Sequence, residues 1–367
     1  MKAVSNFFTS LLNMGHLDTK RTVSSSAYII PLVLLLVMSI IPVRHLTVTD
    51  FMQDYAAAWG ALHGYSANAP TDMLVHACCQ TIQYDNSITQ TAHPPSATLI
   101  VLPLTLLPWE VARWVWLVLS WLIIAVSWII LRLPSFVCLV TVPYWSMALA
   151  MGTFEPIIFG LLAIAVMQAE NNLVAGIVIG IAIALKIYPI FVVLTLVLSQ
   201  RWRAAIIAGI TTVIFMLFAE IGVHATYGWL QYVPKNTNLW VDVAFNYSLV
   251  GTIRNVLPGA SPFICAMFIA LIFTLPLIPR LKKGDIQILM PVILLANPLV
   301  WANYLCLLST RPIGRIEGAC FFATGTFLWV VAVGVVQSDG LAPIVVAPIL
   351  IPTLLIWYKD VKELSQP

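Results

Sequence analysis

The sequence predicts an all-α, polytopic membrane protein with about 10–12 transmembrane helices and short surface helices in its outer loops. Composition is the first observation: 60% of the 367 residues are apolar and 9% are charged, against roughly a quarter charged in a soluble domain. About 220 apolar residues, at about 20 per crossing, supply on the order of 11 spans. The second observation is that charges punctuate long charge-free runs. The third is where the positive charges fall once those runs are threaded across a bilayer. With the N-terminus inside, the inner loops hold Lys2, Lys20, Arg21, Arg132, Arg201, Arg203, Arg280, Lys282, Lys283, Arg311, Arg315, Lys359 and Lys362, or 13 of the 18 Lys and Arg residues. Basic residues on the inner side are the normal signature of orientation. This composition excludes a soluble enzyme. A net charge of +3 with no basic stripe gives no reason to expect a nucleic-acid partner.

Taken in order, Lys20 and Arg21 precede the run 27–43, which is long for a signal-peptide core and lacks a small-x-small cleavage site, so it reads as a retained first helix. A first outer loop, 44–113, carries Asp50, Asp54, Asp72, Asp85 and Glu110 and is interrupted by Gly64, Pro70 and Pro94-Pro95. Within it, 96–107 is apolar enough to cross. A crossing there would turn every later basic cluster outward, so it is laid along the outer surface. Further runs follow at 114–131, 134–151, 156–169, 173–185, 188–199 and 204–219. Those at 173–185 and 188–199 fall short of a full span and read as helices broken within the membrane. A second outer loop, 221–261, is rich in aromatics, including Tyr227, Trp229, Tyr232 and Trp240, and suits surface helices. The runs 262–279, 286–298, 300–309, 318–336 and 342–358 complete a single integral membrane domain, 1–367.

A few polar residues stand out against this background. Asp50 and Asp54 are four apart, so on a helix both carboxylates face one side just beyond the first crossing, placed for proton abstraction. On residue type alone Asp50 better suits a cap for that helix. Lys186 is the one charge between Asn171 and Gln200. A lysine inside a span costs roughly 2.5 to 3.5 kcal/mol on insertion scales, so it should face a cavity or an anion, and Pro189 supplies a chain break beside it. Glu155 starts a helix, where it complements the dipole or serves chemistry. Arg254 is a candidate anion contact. Asn297-Pro298 and Trp301-Ala302-Asn303-Tyr304 interrupt a charge-free stretch. His63, His76, His93, Cys78 and Cys79 show no ligand spacing, so no metal is expected. Adjacent cysteines seldom bridge, so no disulfide is assigned. Gly176, Gly180 and Ala184 form a small-residue face for close helix packing. With no glycine-rich phosphate loop, no nucleotide cofactor is expected.

Five short motifs follow one another along the chain: Asp50-Phe51 with Tyr55-Ala56-Ala57-Ala58 and Gly64-Tyr65; His93-Pro94-Pro95-Ser96 with Leu102-Pro103-Leu104 and Leu107-Pro108; Gly152-Thr153-Phe154-Glu155; Ala175-Gly176 through Lys186-x-x-Pro189 to Arg201-Trp202-Arg203; and Asn246-x-Ser248-Leu249 with Arg254. Together they resemble the C-type integral membrane glycosyltransferases, in particular glycosyltransferase family 87, the polyprenyl-phosphate-mannose-dependent α-mannosyltransferases. The resemblance implies a multi-pass enzyme of the cell membrane with its site facing the exterior. It would move a hexose, mannose, from a polyprenyl-phosphate donor to a lipid or glycan acceptor among the membrane lipids, with inversion. Asp50 is then the general base and Asp54 the second choice. Lys186 and Arg254 contact the phosphate, Glu155 and Asn303 the sugar hydroxyls, and His93 and Asn246 belong to binding motifs. This sequence departs from the family at Glu155, where asparagine is usual, and at Asn303, where relatives often carry histidine. The competing reading is a secondary transporter or lipid flippase, which would show repeat symmetry and charges at the membrane midplane.

Overall fold

A computed structural model describes residues 25–45, 50–79, 91, 93–241, 246, 248–300, 302–310, 313–332 and 342–364. These residues form an all-α protein with no strand among them. Lys2, Lys20, Arg21, Asp85, Trp301 and Arg311 lie outside the described residues.

The first helix, α1 (Ile29–His45), leaves Ile29, Ile30, Val33 and Val37 exposed, as expected of a face that meets lipid. In the first outer segment, α2 (Asp50–Leu62) packs on α3 (Thr71–Cys79) and buries Phe51, Met52, Tyr55 and Ala56 to Ala58. At the end of α3 the sulfurs of Cys78 and Cys79 are joined as a vicinal disulfide, a pairing that residue spacing alone did not assign. Pro94-Pro95 starts α4 (Pro95–Val101), since proline at the first helical position lacks an N–H that would have been unpaired anyway. The stretch expected not to cross packs partly into the bundle. Pro95 to Thr98 and Val101 of α4 are buried against α2 and two later helices.

Then come α5 (Trp109–Ile130), α6 (Ser135–Met151), α7 (Glu155–Met167) and α8 (Asn172–Leu185). The chain runs extended through Lys186 and resumes at α9 (Ile190–Leu198), so the expected pair 173–185 and 188–199 is one helix pair with a break at Lys186–Pro189. Next, α10 (Trp202–Val223) packs tightly on α8. The glycine face explains the closeness: a Cβ at Gly176 would fall 2.7 Å from the Ala204 carbonyl oxygen, and one at Gly180 would fall 2.5 Å from that of Ala208.

Beyond α10, the Glu220 carboxylate accepts the N–H groups of Thr226 and Tyr227 at 2.7 and 3.1 Å and so starts α11 (Thr226–Val241). Ser248 caps α12 (Leu249–Val256), accepting Gly251 N–H at 2.9 Å. The chain continues through α13 (Pro262–Thr274), α14 (Ile278–Leu281), α15 (Met290–Ala296), a 3-10 helix at Ala302–Thr310, α16 (Arg315–Ala332) and α17 (Ala342–Leu364). Among the described residues, three stretches, Trp109–Ile130, Trp202–Val223 and Pro262–Leu281, are long and apolar enough to cross a membrane, and six shorter apolar helices accompany them. The runs 286–298 and 300–309 are short pieces whose residues 288–297 and 303–310 are buried on all sides, so they fill the interior between the lipid-facing helices.

Candidate active site

The site is assembled where α6 ends. Gly152 takes a left-handed φ of +67° and closes α6, a conformation that glycine adopts without strain. A Cβ there would strike Phe51, so the same glycine lets α2 sit directly on this turn. Trp116 of α5 donates its indole N–H to the Gly152 carbonyl at 2.9 Å, and Phe51 stacks on the Trp116 ring at 4.9 Å. Phe154 then meets Trp116 edge-on at 5.1 Å and His93 at 5.5 Å. This aromatic joint fixes Asp50 at the head of α2, His93 ahead of α4 and Glu155 at the head of α7 relative to one another.

Two buried pairs stand on that joint. In the first, the Asp54 carboxylate is wholly buried and meets His93 Nδ1 at 2.7 Å, with the Thr91 hydroxyl donating to its other oxygen at 3.3 Å. In the second, Lys186 Nζ donates to Glu155 Oε1 at 2.6 Å and to the Tyr304 hydroxyl at 2.9 Å, while Asn303 Nδ2 donates to Glu155 Oε2 at 3.3 Å. The ammonium also lies 4.3 Å from the Tyr304 ring centroid, where the ring face attracts a cation. A buried charge needs such partners. The extended backbone at Lys186 supplies the reach, because it frees the side chain from the helical direction it would have inside α8.

Between the pairs lies a cavity of about 350 Å³. Its polar wall is made by Asp50, Gln53, His93, Lys186, Asn297 and Tyr304. Ile190, Phe191, Phe263 and Met267 make an apolar wall, and three of these, Ile190, Phe263 and Met267, are exposed on the outside of the bundle. Trp229, Val233 and Thr237, one face of α11, close a further side. Burial raises the Asp50 carboxyl above its ordinary value, against the pull of His93 and Lys186. For His93, burial disfavours the imidazolium, but the Asp54 charge and hydrogen bond, with Asp50, outweigh it and raise the imidazole above its ordinary value.

Of the residues singled out in the sequence, Asp50, His93 and Lys186 therefore share one cavity. Asp54, the second choice as base, does not line it: both its oxygens are taken by His93 and Thr91. Glu155 and Asn303 sit one layer behind Lys186. Asn246 is buried and spends its whole amide on the backbone, donating to the Val241 and Pro298 carbonyls at 2.9 and 2.8 Å and accepting from the N–H groups of Ser248 and Val300. Arg254 donates to Asn238 at 2.9 Å and is not among the residues lining the cavity. Gln53, Tyr188, Thr237, Asn297 and Tyr304 line it without having been chosen as site residues. Gln53 carried a usable signal, since it lies three residues after Asp50 on the same helical face.

The family model for glycosyltransferase family 87 matches residues 92–285, more than half of the chain. The chain belongs to glycosyltransferase family 87. No curated protein and no solved structure matches it. This family-87 membrane glycosyltransferase carries His93, Glu155 and Lys186 inside the matched stretch, while Asp50, Asn297 and Tyr304 lie outside it and reach the cavity through the fold, and Asp54, also outside, meets His93 behind the cavity wall.

Proposed function

We propose that the protein transfers a hexose, mannose, from a polyprenyl-phosphate-linked donor to a lipid or glycan acceptor at the outer face of the cell membrane. The observation that supports this most directly is the shared cavity, in which a carboxylate, two cationic side chains and an apolar wall adjoin. A donor with a charged sugar-phosphate head and a hydrocarbon tail fits those surfaces: the head meets Lys186 and His93, and the tail leaves past Ile190, Phe263 and Met267 toward lipid. No soluble nucleotide-binding domain is needed.

In this mechanism Asp50 is the general base. The acceptor hydroxyl attacks the anomeric carbon, a new C–O bond forms as the bond to the phosphate oxygen breaks, and the hydroxyl proton passes to Asp50. The electron pair of the broken bond stays on the departing polyprenyl phosphate, so negative charge grows beside Lys186 and His93, where fixed cations stabilise the transition state. One direct displacement inverts the anomeric centre. Asp50 suits the role because it is the carboxylate that lines the cavity among the described residues, whereas Asp54 and Glu155 are covered and paired. Arg254, which donates to Asn238 and is not among the residues lining the cavity, is given no part in this assignment.

The test is to incubate purified protein with polyprenyl-phosphate-mannose or polyprenyl-phosphate-glucose and extracted membrane lipids, then weigh the products. A mass gain of one hexose from the mannose donor supports the reading. A requirement for a nucleotide sugar overturns it.

A further inference from the structure

Asn297 follows α15 directly, is 9% exposed and lines the cavity. Its Oδ1 accepts the Leu299 N–H at 3.2 Å, closing a side-chain turn of the kind asparagine favours. A backbone N–H only donates, so the amide oxygen must face it, and this fixes which way the amide points. The amino group is therefore turned away from Leu299, and it makes no hydrogen bond among the described residues. The residue is 9% exposed and lines the cavity, so its donor is left for whatever enters that space.

The segment that presents it is clamped from outside. Asn246 Nδ2 and Ser248 Oγ both donate to the Pro298 carbonyl at 2.8 Å, and the Val300 N–H donates to Asn246 Oδ1 at 2.9 Å. Asn246 has no amide group left for a ligand, because four backbone partners take all of it. Its role is to hold residues 298–300, and through them Asn297.

We propose that Asn297 is a substrate-binding residue whose amino group donates to a hydroxyl oxygen of the transferred hexose, with Asn246 and Ser248 as its positioning residues. This rests on the glycosyl-transfer reading above. A neutral amide gives direction without charge, which matches a sugar hydroxyl. The phosphate has Lys186 and His93.

Binding separates this contact from the rest of the mechanism. Full-length wild type, Asn297→Ala and Asn297→Ser are titrated with polyprenyl-phosphate-mannose and with polyprenyl phosphate lacking the sugar. Serine keeps the turn, since its hydroxyl also accepts from a backbone N–H two residues on, but it removes the amino group. Both variants should bind the mannose lipid about tenfold more weakly than wild type and the sugarless lipid within about twofold. Ser248→Ala should shift the same ratio by about threefold, and Ser248→Thr should restore it. Unchanged binding of the mannose lipid, or equal losses on both lipids, overturns the contact. Wild type that binds neither lipid overturns the donor reading and the contact with it. Wild type that prefers the sugared lipid, beside variants that keep that preference, overturns the contact alone.

Discussion

The Asp54–His93 pair and the Glu155–Lys186 pair flank the same cavity and are built alike. In each, a wholly buried carboxylate stands behind and the cationic partner reaches the cavity wall. They differ in the cation. An imidazole titrates near neutrality, and an ammonium does not. The difference teaches that three acidic residues within one site need not play the same part. Asp54 and Glu155 each orient a cation, and Asp50 alone of the three faces the space where a substrate hydroxyl would lie.

The largest effect should come from the acid outside both pairs. Asp50→Asn should lower transfer by about 10²- to 10⁴-fold, the usual worth of a positioned base, with membrane insertion and thermal stability intact because no buried cation loses its partner. Near-normal turnover in membranes carrying the variant would return the base to one of the paired acids.

Next in size is the Glu155–Lys186 pair. Glu155→Gln or Lys186→Met should each cost about 3–5 kcal/mol of stability, since each leaves one buried charge uncompensated. The double variant should recover most of that loss while transfer stays low. Thermal unfolding in detergent beside an activity assay separates the two outcomes. If the double variant is no more stable than the singles, the pair is not a self-contained unit.

The two pairs were unequally legible in the sequence. Lys186 could be found because a lone charge beside a proline in an apolar run has few places to go, and the chain does break at Lys186–Pro189. Its partner could not, because Glu155 lies 31 positions away and nothing local marks two helix ends as neighbours. The i, i+4 spacing of Asp50 and Asp54 was visible. The division of labour between them was not, because it depends on His93, brought in from 39 positions after Asp54 by the aromatic joint at Gly152. For 96–107, charge placement argued against a crossing, but it carries no information on packing, and the contacts of α4 with α2, α8 and α10 came only with the fold.

The Asp54–His93 pair offers a graded test through pH. Asp50 must be ionised to accept a proton, so activity should rise as pH climbs through its value, which burial holds above the ordinary carboxylate range. The imidazolium of His93 is lost as pH climbs further through its own raised value, giving a bell. In Asp54→Asn the main group lifting His93 is gone, so the alkaline limb should move to lower pH. The acid limb, to which Asp54 contributes least, should barely shift. Stability carries the same sign. His93 holds its proton more tightly folded than unfolded, so the pair's contribution is full below about pH 6.5, the ordinary imidazole value, and is lost as pH rises through the raised value. An alkaline limb unmoved in Asp54→Asn would assign that limb to another group.

The smallest effect should come from Asn303, which the family resemblance placed on the sugar and the fold places on Glu155. If it only satisfies the second carboxylate oxygen, Asn303→Ala should raise no barrier of its own. It should cost about 1–3 kcal/mol of stability through one unsatisfied buried acceptor, with donor KM unchanged. Asn303→His would add an imidazole next to the Glu155 carboxylate and compete with Lys186 for it, which should free the ammonium toward the cavity and lower donor KM. A rise in donor KM in Asn303→Ala, with stability preserved, would mean that Asn303 reaches the substrate after all, and that the layer behind Lys186 opens when donor enters.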